Sequence, residues 1–354
     1  MAIEFDHSTL GQRVLFGTGG AARNTLAALT GLDANRVLLI ADRFTLELAD
    51  EIAASVPIVD RIHDIVQHVP VENAQAAVDR ARATGADAVL SIGGGSSTGL
   101  AKIVARETGL PIVAVPTTFA GSEATNVWGQ TEGERKTTGV DDKVLPRVVV
   151  YDASLMATMP ATLAMSSALN AVAHAIDGFW APRADPVNRA LGTEGLRALL
   201  PGLRQLQSEP DSLEARERTL YGAYLAAVAF ASAGSGMHHK ICHALGGTYN
   251  LPHAETHSVV IGYVTAFNAP FAPDAAERVV SALGGDTSPG GGLYRLRHDI
   301  GAPRSLAQLG FDENAIPAAA EIILPAIPAS NPRPVTQADL ETLLHAAWAG
   351  DPIE

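Results

Sequence analysis

In the first 150 residues, short runs of β-branched and other apolar residues alternate with segments of helical periodicity, and this alternation restricts the fold more than any other feature. Parallel strands need long crossover connections, which helices usually supply. Strand–helix–strand order therefore predicts a mostly parallel, Rossmann-like sheet covered by helices. The segments concerned are the strands RVLLIAD (36–42), ADAVLSIGGGSS (86–97, running into a glycine loop), GLPIVAVPTT (109–118) and PRVVVYD (146–152), with an alanine-rich helix at 73–85.

The character of the chain changes after Asp152. ATLAMSSALNAVAHAIDGFW, RALGTEGLRALLPGLRQL and ARERTLYGAYLAAVAFASAG are long, rich in alanine and leucine, and spaced as helices. We therefore expect an α/β dinucleotide-binding domain at 1–155, followed by an all-helical catalytic domain at 156–354.

Composition excludes several classes of protein. Hydrophobic residues make up 47% of the 354 residues and charged residues 18%, which is typical of a globular chain. The net charge of -13 argues against nucleic acid or an anionic membrane surface as a partner. The single cysteine, Cys242, cannot form an intramolecular disulfide, and we find neither a secretory signal nor an uninterrupted apolar span. We expect a cytoplasmic protein.

Two glycine clusters could bind a nucleotide. FGTGGAAR (16–23) lacks the last glycine of the G-x-G-x-x-G pattern and is weak evidence. GGGSSTGLAK (93–102) directly follows a buried strand and leads into a helix, so that exposed backbone N–H groups and the helix N-terminus can hold a pyrophosphate.

Asp42 ends the strand RVLLIAD, where a carboxylate can accept hydrogen bonds from a ribose diol. It would repel a 2′-phosphate and so favours NADH, although Arg43 beside it could pair with that phosphate and keeps NADPH open. Alternatively, Asp42 only caps the next helix. The strand and loop VPTTFAGSEAT (115–125) end in small hydroxyl residues suited to lining a cofactor cleft.

Histidines are concentrated in MHHKICHALGGTYNLPHAETH. His239 and His243 are spaced i, i+4, as are Asn170 and His174 in NAVAHAID, so each pair shares a helix face, while His253 follows a loop containing Pro252. Three imidazoles from these segments could meet at one divalent ion, but an amide at 170 is a poor transition-metal ligand. His238 and His257 fit no such pattern, and we expect both to be structural.

Taken in order, GGGS, PTTFAGSE, NAVAHAID, HKICHALGGTYNLPH and NPRPVT (331–336) resemble the motifs of the iron-containing alcohol dehydrogenase superfamily over nearly the whole chain. In that superfamily an Asp and three His hold the metal, and the matching positions are Asn170, His174, His239 and His253. Gly99 stands where those dehydrogenases usually have Asp, and PTTFAGSE is one residue short. These departures resemble the maleylacetate reductase branch, which is regarded as working without the metal.

The resemblance implies an active site in the cleft between the two domains, NADH as cofactor, no metal, and a homodimer or larger assembly. It also implies reduction of the conjugated C=C bond of maleylacetate, a dicarboxylate, to 3-oxoadipate in the degradation of aromatic compounds. The cofactor-contacting positions that it gives are Asp42, Gly94, Gly95, Ser96, Thr117, Thr118 and Lys136. We expect His243 to be the leading acid, with His239, His253 and His174 binding carboxylate or enolate as a cationic pocket, and Asn170 hydrogen-bonding.

Three rival functions stay open at this point. One is a metal-dependent NAD alcohol or polyol dehydrogenase in which Asn170 or water replaces the Asp. Another is a lyase on the same scaffold, similar to dehydroquinate synthase, which uses NAD without net turnover. The third is a nucleotide sensor without catalysis.

Overall fold

A computed structural model describes residues 4–43, 45–133, 135–285 and 288–354, and of these the side chains of 135 and 136 are not described. The chain divides into two compact units. One is Leu10–Pro160, and the other is Ala161–Glu354 joined by the N-terminal segment up to Thr9. The sequence analysis placed residues 1–9 in the first domain. In the structure His7 bonds Asp185 of the helical unit through Nδ1 and Oδ2, 2.7 Å apart.

The first unit contains a parallel sheet, as predicted from the strand–helix alternation. Within the described residues its strand order is β1-β8-β5-β4-β2-β3. Strands β2, β4, β5 and β8 confirm the four predicted strands, whereas β1 and β3 were not predicted. The bounds are β1 Arg13–Phe16, β2 Val37–Ala41, β3 Ile58–Ile62, β4 Ala88–Gly93, β5 Ile112–Pro116 and β8 Val148–Tyr151.

Both faces of this sheet are covered. Leu38 and Ile40 pack in an apolar core with helices α3 and α4, and Leu39, which must point to the opposite face, is equally inaccessible to solvent. Each such side chain contributes about 1.5–3 kcal/mol by its burial. The helices of this unit are α1 Ala21–Thr30, α2 Leu46–Ala53, α3 Val71–Ala83 and α4 Gly95–Thr108.

An antiparallel hairpin lies between β5 and β8 in the chain and was not predicted. It pairs β6 (Val127–Glu132) with β7 (Arg135–Val140) in a separate two-stranded sheet. The hairpin follows a short 3₁₀ turn, Ser122–Ala124, at the end of the PTTFAGSEA segment.

A buried lysine ties this turn to helix α4. The Nζ of Lys102 donates to the carbonyl oxygens of Ser122 (2.6 Å) and Val127 (2.7 Å) and to the hydroxyl of Thr125 (3.1 Å). Burial lowers the pKa of Lys102 to about 7, and the nearby carboxylate of Glu123 opposes that shift. Three oxygen acceptors match the three hydrogens of an ammonium group, so we assign the charged form.

The second unit is helical, as predicted. One of its apolar clusters packs buried residues of the helices at 237–249, 253–268, 316–323 and 337–349. The helices are α5 Ala161–Gly178, α6 Pro186–Ser208, α7 Leu213–Ala233, α8 Met237–Tyr249, α9 His253–Asn268, α10 Pro273–Leu283, α11 Pro289–Asp299, α12 Ile316–Ile323 and α13 Gln337–Ala349.

Among the described helices, none is by itself both long and apolar enough to cross a membrane. Helices α7 and α8 meet the length and composition criteria only as a pair, and they are bent by 97° at the break between them.

Replacing Lys102 with methionine should destabilise the first unit. The methionine side chain would leave two buried carbonyls and a hydroxyl without their donor, and each unsatisfied group costs about 1–3 kcal/mol. The variant also avoids the cost of burying a charge, which offsets part of this loss. We therefore expect the free energy of unfolding to fall by about 2–4 kcal/mol in total. Urea unfolding of Lys102→Met measures it, with exposed Lys143→Met as the matched control. Equal stability of the two variants would contradict the assignment.

Candidate active site

The carboxyl ends of β2 and β4 lie side by side in the first unit. From β2 the chain passes to β3 on one side, and from β4 it passes to β5 and β8 on the other, so the direction of winding changes between these adjacent strands. Open α/β sheets bind ligands at such a point. Asp42 follows β2 there, and Gly93 ends β4.

Gly93 lets a carboxylate and a helix meet at this point. Its φ is 141°, and a Cβ atom would lie 2.4 Å from the Ser97 hydroxyl oxygen and 2.7 Å from Oδ2 of Asp42. Helix α4 begins at Gly95, so Gly95 and Ser96 form its first turn and not the predicted loop. Their N–H groups therefore belong to the free set at a helix N-terminus, which favours an anion.

Asp42 does not cap the following helix, so that alternative is wrong. Helix α2 begins after Thr45, whose hydroxyl donates to Oδ1 of Asp42 (3.1 Å) and to its backbone oxygen (3.0 Å). The carboxylate is half-buried beside the glycines. This position suits contact with a ribose.

The two threonines of PTTFAGSE lie against the same glycines. The Thr117 N–H donates to the Gly93 carbonyl (3.1 Å), and the Thr118 methyl would lie 3.0 Å from a Cβ on Gly94. Lys136 falls in β7, and its side chain lies outside the described part of the structure. Asp42, Thr117 and Thr118 thus lie against the glycines that end β4 and precede α4.

Helices α5, α8 and α9 of the second unit bring the predicted histidines together. His174 stacks on His239 with ring centroids 5.0 Å apart, and His243 stacks on His253 at 6.3 Å. His174 and His239 are buried, whereas His243 and His253 are partly exposed. Asn170 is also buried, and its Oδ1 has no hydrogen-bond partner among the described residues.

His238 and His257, expected to be structural, belong to the same cluster. The His257 ring lies 4.4 Å from His253, 4.8 Å from His239 and 4.8 Å from His238, between centroids. Its Nδ1 is 3.0 Å from Nε2 of His238, which is also 3.7 Å from the Cys242 sulfur. The spacing 253 to 257 is i, i+4, the signal already used for the other pairs. The sequence analysis placed His253 after a loop containing Pro252 but did not pair it with His257 on the helix that begins there, α9.

A carboxylate that the sequence analysis did not single out also belongs to the cluster. Asp177, fully buried on α5, accepts a hydrogen bond from Nδ1 of His239 at 2.8 Å. It lies one turn beyond His174, so the i, i+3 spacing in NAVAHAID could have indicated it.

The buried histidines are neutral near pH 7. Burial lowers the pKa of His174 to about 4 and that of His238 to about 3. Burial, with smaller contributions from neighbouring histidines, also holds the pKa values of His239 and His257 well below the usual range. The structure therefore differs from the expected cationic pocket, because desolvation outweighs the tendency of imidazole to protonate.

The residues at the family's metal positions do not fit a metal in this structure. Asn170 offers an amide in place of the carboxylate. Among the described residues, one group of three possible ligands has all its atoms within 4.8 Å of one another, and it is His238, Cys242 and His257, not His174, His239 and His253. In that group the two imidazoles already share a hydrogen bond, and burial raises the pKa of Cys242 well above its ordinary value.

Comparison with known protein families gives two matches that together cover most of the chain. Residues 11–153 match the iron-containing alcohol dehydrogenase family, and residues 164–348 match the C-terminal part of the Fe-containing alcohol dehydrogenase family. The chain belongs to the iron-containing alcohol dehydrogenase family and is an oxidoreductase.

Within that family, the chain is similar over its whole length to maleylacetate reductases. It is 41% identical to one from Sphingobium indicum, with 99% of each chain covered. The crystal structure of a maleylacetate reductase from Agrobacterium tumefaciens superposes with a TM-score of 0.93 at 36% identity, covering 99% of both chains. An iron-containing alcohol dehydrogenase from Corynebacterium glutamicum gives 0.96 at 48% identity, covering 99% of this chain and 98% of the other.

The histidine cluster should make the fold sensitive to acid. Histidines with a pKa of about 6.5 when unfolded take up protons on unfolding wherever their folded pKa is lower. For His174 and His238 that window runs from about 6.5 down to about 4 and 3, so stability falls as pH falls through it. Asp177 opposes this, because burial raises its pKa to about 6, but it is one group against several.

We expect the free energy of unfolding, measured with urea, to be several kcal/mol lower at pH 5 than at pH 7. Each histidine should contribute on the order of 1.4 kcal/mol per pH unit. His257→Gln should reduce the slope of the free energy of unfolding against pH by the contribution of one proton. The control is His345→Gln, which changes an exposed histidine outside the cluster. A slope that is the same in all three proteins would show that the cluster is not responsible.

Proposed function

We propose that this protein reduces the conjugated C=C bond of maleylacetate to 3-oxoadipate with NADH, in the degradation of aromatic compounds, and without a catalytic metal. The observation that carries the proposal is a histidine cluster with Asn170 at the position of the metal-binding carboxylate. It occurs in a chain about 40% identical to maleylacetate reductases from end to end.

The substrate's own chemistry makes a metal dispensable. Its alkene is conjugated to a ketone, so addition of hydride at the carbon β to the ketone moves the negative charge onto the ketone oxygen as an enolate. Bound NADH would supply that hydride. The protein must then stabilise the enolate and deliver one proton to the neighbouring carbon. A well-placed hydrogen-bond donor contributes about 3 kcal/mol to such stabilisation.

The partly exposed pair His243 and His253 are the members of the cluster best suited to contact the substrate. We propose His243 as the leading proton donor, since imidazole can release a proton near neutral pH. His253, His239 and His174 would bind carboxylate or enolate oxygen, and the Asn170 amide would hydrogen-bond to the same group. Because the buried rings are neutral, a ring nitrogen that carries no hydrogen can bind an anionic oxygen only after it takes up a proton. Proton uptake would therefore accompany binding of the dianion.

NADH is the cofactor that Asp42 favours at the carboxyl ends of β2 and β4. The carboxylate of Asp42 beside Gly93 suits a ribose diol and would repel a 2′-phosphate. Arg43, the next residue, is the feature that would permit NADPH.

We further propose a cytoplasmic homodimer that binds neither nucleic acid nor membrane. The net charge of -13 and the single cysteine support this, together with the family resemblance. Sedimentation equilibrium of the purified protein measures the oligomeric state.

The test of function uses protein treated with EDTA and analysed for bound metals. We expect this protein to oxidise NADH rapidly when maleylacetate is added, with 3-oxoadipate as product and no stimulation by added Fe²⁺ or Zn²⁺. The control is the same protein without EDTA treatment, which should turn over at the same rate.

Activity that returns only with Fe²⁺ or Zn²⁺, or turnover of alcohols or polyols in place of maleylacetate, would instead favour a metal-dependent dehydrogenase. The similarity to the iron-containing alcohol dehydrogenase from Corynebacterium glutamicum is the observation that keeps this alternative in view.

Replacing Asp42 with asparagine should weaken the preference for NADH. Hydrogen bonds to a charged group contribute about 1.5–3 kcal/mol, so we expect KM for NADH to rise about tenfold or more. KM for NADPH should fall or stay constant, because the repelling charge is gone. The matched control, Asp79→Asn, changes an exposed aspartate on α3 and should alter neither value. An unchanged ratio of the two KM values in Asp42→Asn would show that Asp42 does not contact the ribose.

A further inference from the structure

Asp177 connects helix α5 to helix α8 through a fully buried carboxylate. Its Oδ2 accepts from the backbone N–H of Gly236 (2.8 Å), from Nδ1 of His239 (2.8 Å) and, at 3.4 Å, from the His239 N–H. Its Oδ1 accepts from the indole N–H of Trp180 (3.2 Å). The carboxylate thus has one set of donors from the backbone and another from side chains.

The backbone contacts make Asp177 the cap of α8. Gly236, at the N-cap position, has no side chain that could cap the helix, and the carboxylate from α5 takes over that role. A Cβ atom on Gly236 would lie 2.3 Å from Oδ1 of Asp177, so the glycine makes room for it. Capping explains the bonds to the backbone, but it does not require a bond to an imidazole.

The bond to His239 determines which ring nitrogen is left for a ligand. An ionised carboxylate can only accept, so Nδ1 of His239 carries the hydrogen. The other nitrogen, Nε2, is buried and has no hydrogen-bond partner among the described residues. His174 stacks on one side of the ring, and Phe230 lies 4.3 Å from it between centroids. The ring is therefore held in both its plane and its tautomer.

We propose that Asp177 is a positioning residue for the reduction: it fixes the orientation and the Nδ1–H tautomer of His239, so that Nε2 is the nitrogen through which His239 meets the substrate. This inference rests on the proposed function. It adds to that function a residue that acts through His239 and does not itself touch the substrate.

The chain offers a closely matched control in Asp185. Its carboxylate caps α6 through the N–H groups of Val187 and Asn188 and also bonds Nδ1 of a histidine, His7, at 2.7 Å. Asp177 and Asp185 thus combine the same two kinds of contact. Only Asp177 makes them to the histidine cluster.

The experiment compares Asp177→Asn with Asp185→Asn. An amide oxygen can still cap each helix, but neither variant retains a charged acceptor for the histidine. We expect both to fold with a similar, modest fall in Tm. In Asp177→Asn, kcat for maleylacetate should fall by about 10²-fold, with KM for NADH unchanged, because a misplacement of about 1 Å at the reacting groups can cost about 10²-fold. In Asp185→Asn, kcat should be unchanged, and Asp177→Glu should restore part of the loss.

A second readout does not depend on activity. In protein labelled with ¹⁵N-histidine, the His239 signals, assigned by their loss in His239→Gln, should show the hydrogen on Nδ1 in the unaltered protein. A hydrogen on Nε2 there would overturn the inference, and so would a folded Asp177→Asn variant with full kcat. If the unaltered protein fails to reduce maleylacetate, the proposed function is wrong, and the ¹⁵N signals still decide the role of Asp177 at the ring.

Discussion

The buried carboxylate of Asp177 is the interaction on which the histidine cluster depends. A charge at this depth is tolerated only if its oxygens accept hydrogen bonds, and the donors are Trp180 just after α5, the N–H of Gly236 at the start of α8, and the ring of His239. The same contacts fix where α8 begins. His239 is therefore placed by a direct bond, and His243 lies one helical turn further on, toward solvent. One carboxylate thus sets the position of both imidazoles.

Burial gives this cluster an unusual chemical character for so many imidazoles. Desolvation keeps its inner members neutral, so they are hydrogen-bonding groups first and cations only when a ligand brings charge. His243 and His253 remain partly exposed. A dianionic substrate arriving at this pair would favour protonation of the cluster behind it, and the proton consumed in the reduction would be available where the enolate forms. Neutral imidazoles of this kind suit a reaction in which negative charge reaches the substrate oxygen only when hydride is added.

Sequence reasoning predicted what local pattern determines and missed what distant contacts determine. The parallel sheet followed from the alternation of strands and helices, and the glycine cluster at the end of β4 from an apolar strand running into glycines. His253 was placed directly after a loop containing Pro252, and α9 does begin at His253. The i, i+4 pairing of His253 with His257 on that helix was nevertheless missed, and His257 was expected to be structural. His239, the partner of Asp177, lies in another helix 62 residues away in the chain. The raised pKa of Asp177 comes from desolvation, which residue spacing in the sequence does not reveal.

The donors at the family's metal positions differ from a compact ligand group by more than the residue at position 170. A carboxylate in place of Asn170 would supply the missing oxygen ligand. It would not bring His174, His239 and His253 into a compact ligand group, because His257 lies against both His239 and His253. The His257 ring lies 4.8 Å from His239 and 4.4 Å from His253 between centroids, so it separates neither ring from the cluster but belongs to it. The amide at 170 and the contacts of His257 therefore both depart from an arrangement of one carboxylate and three imidazoles around a single ion.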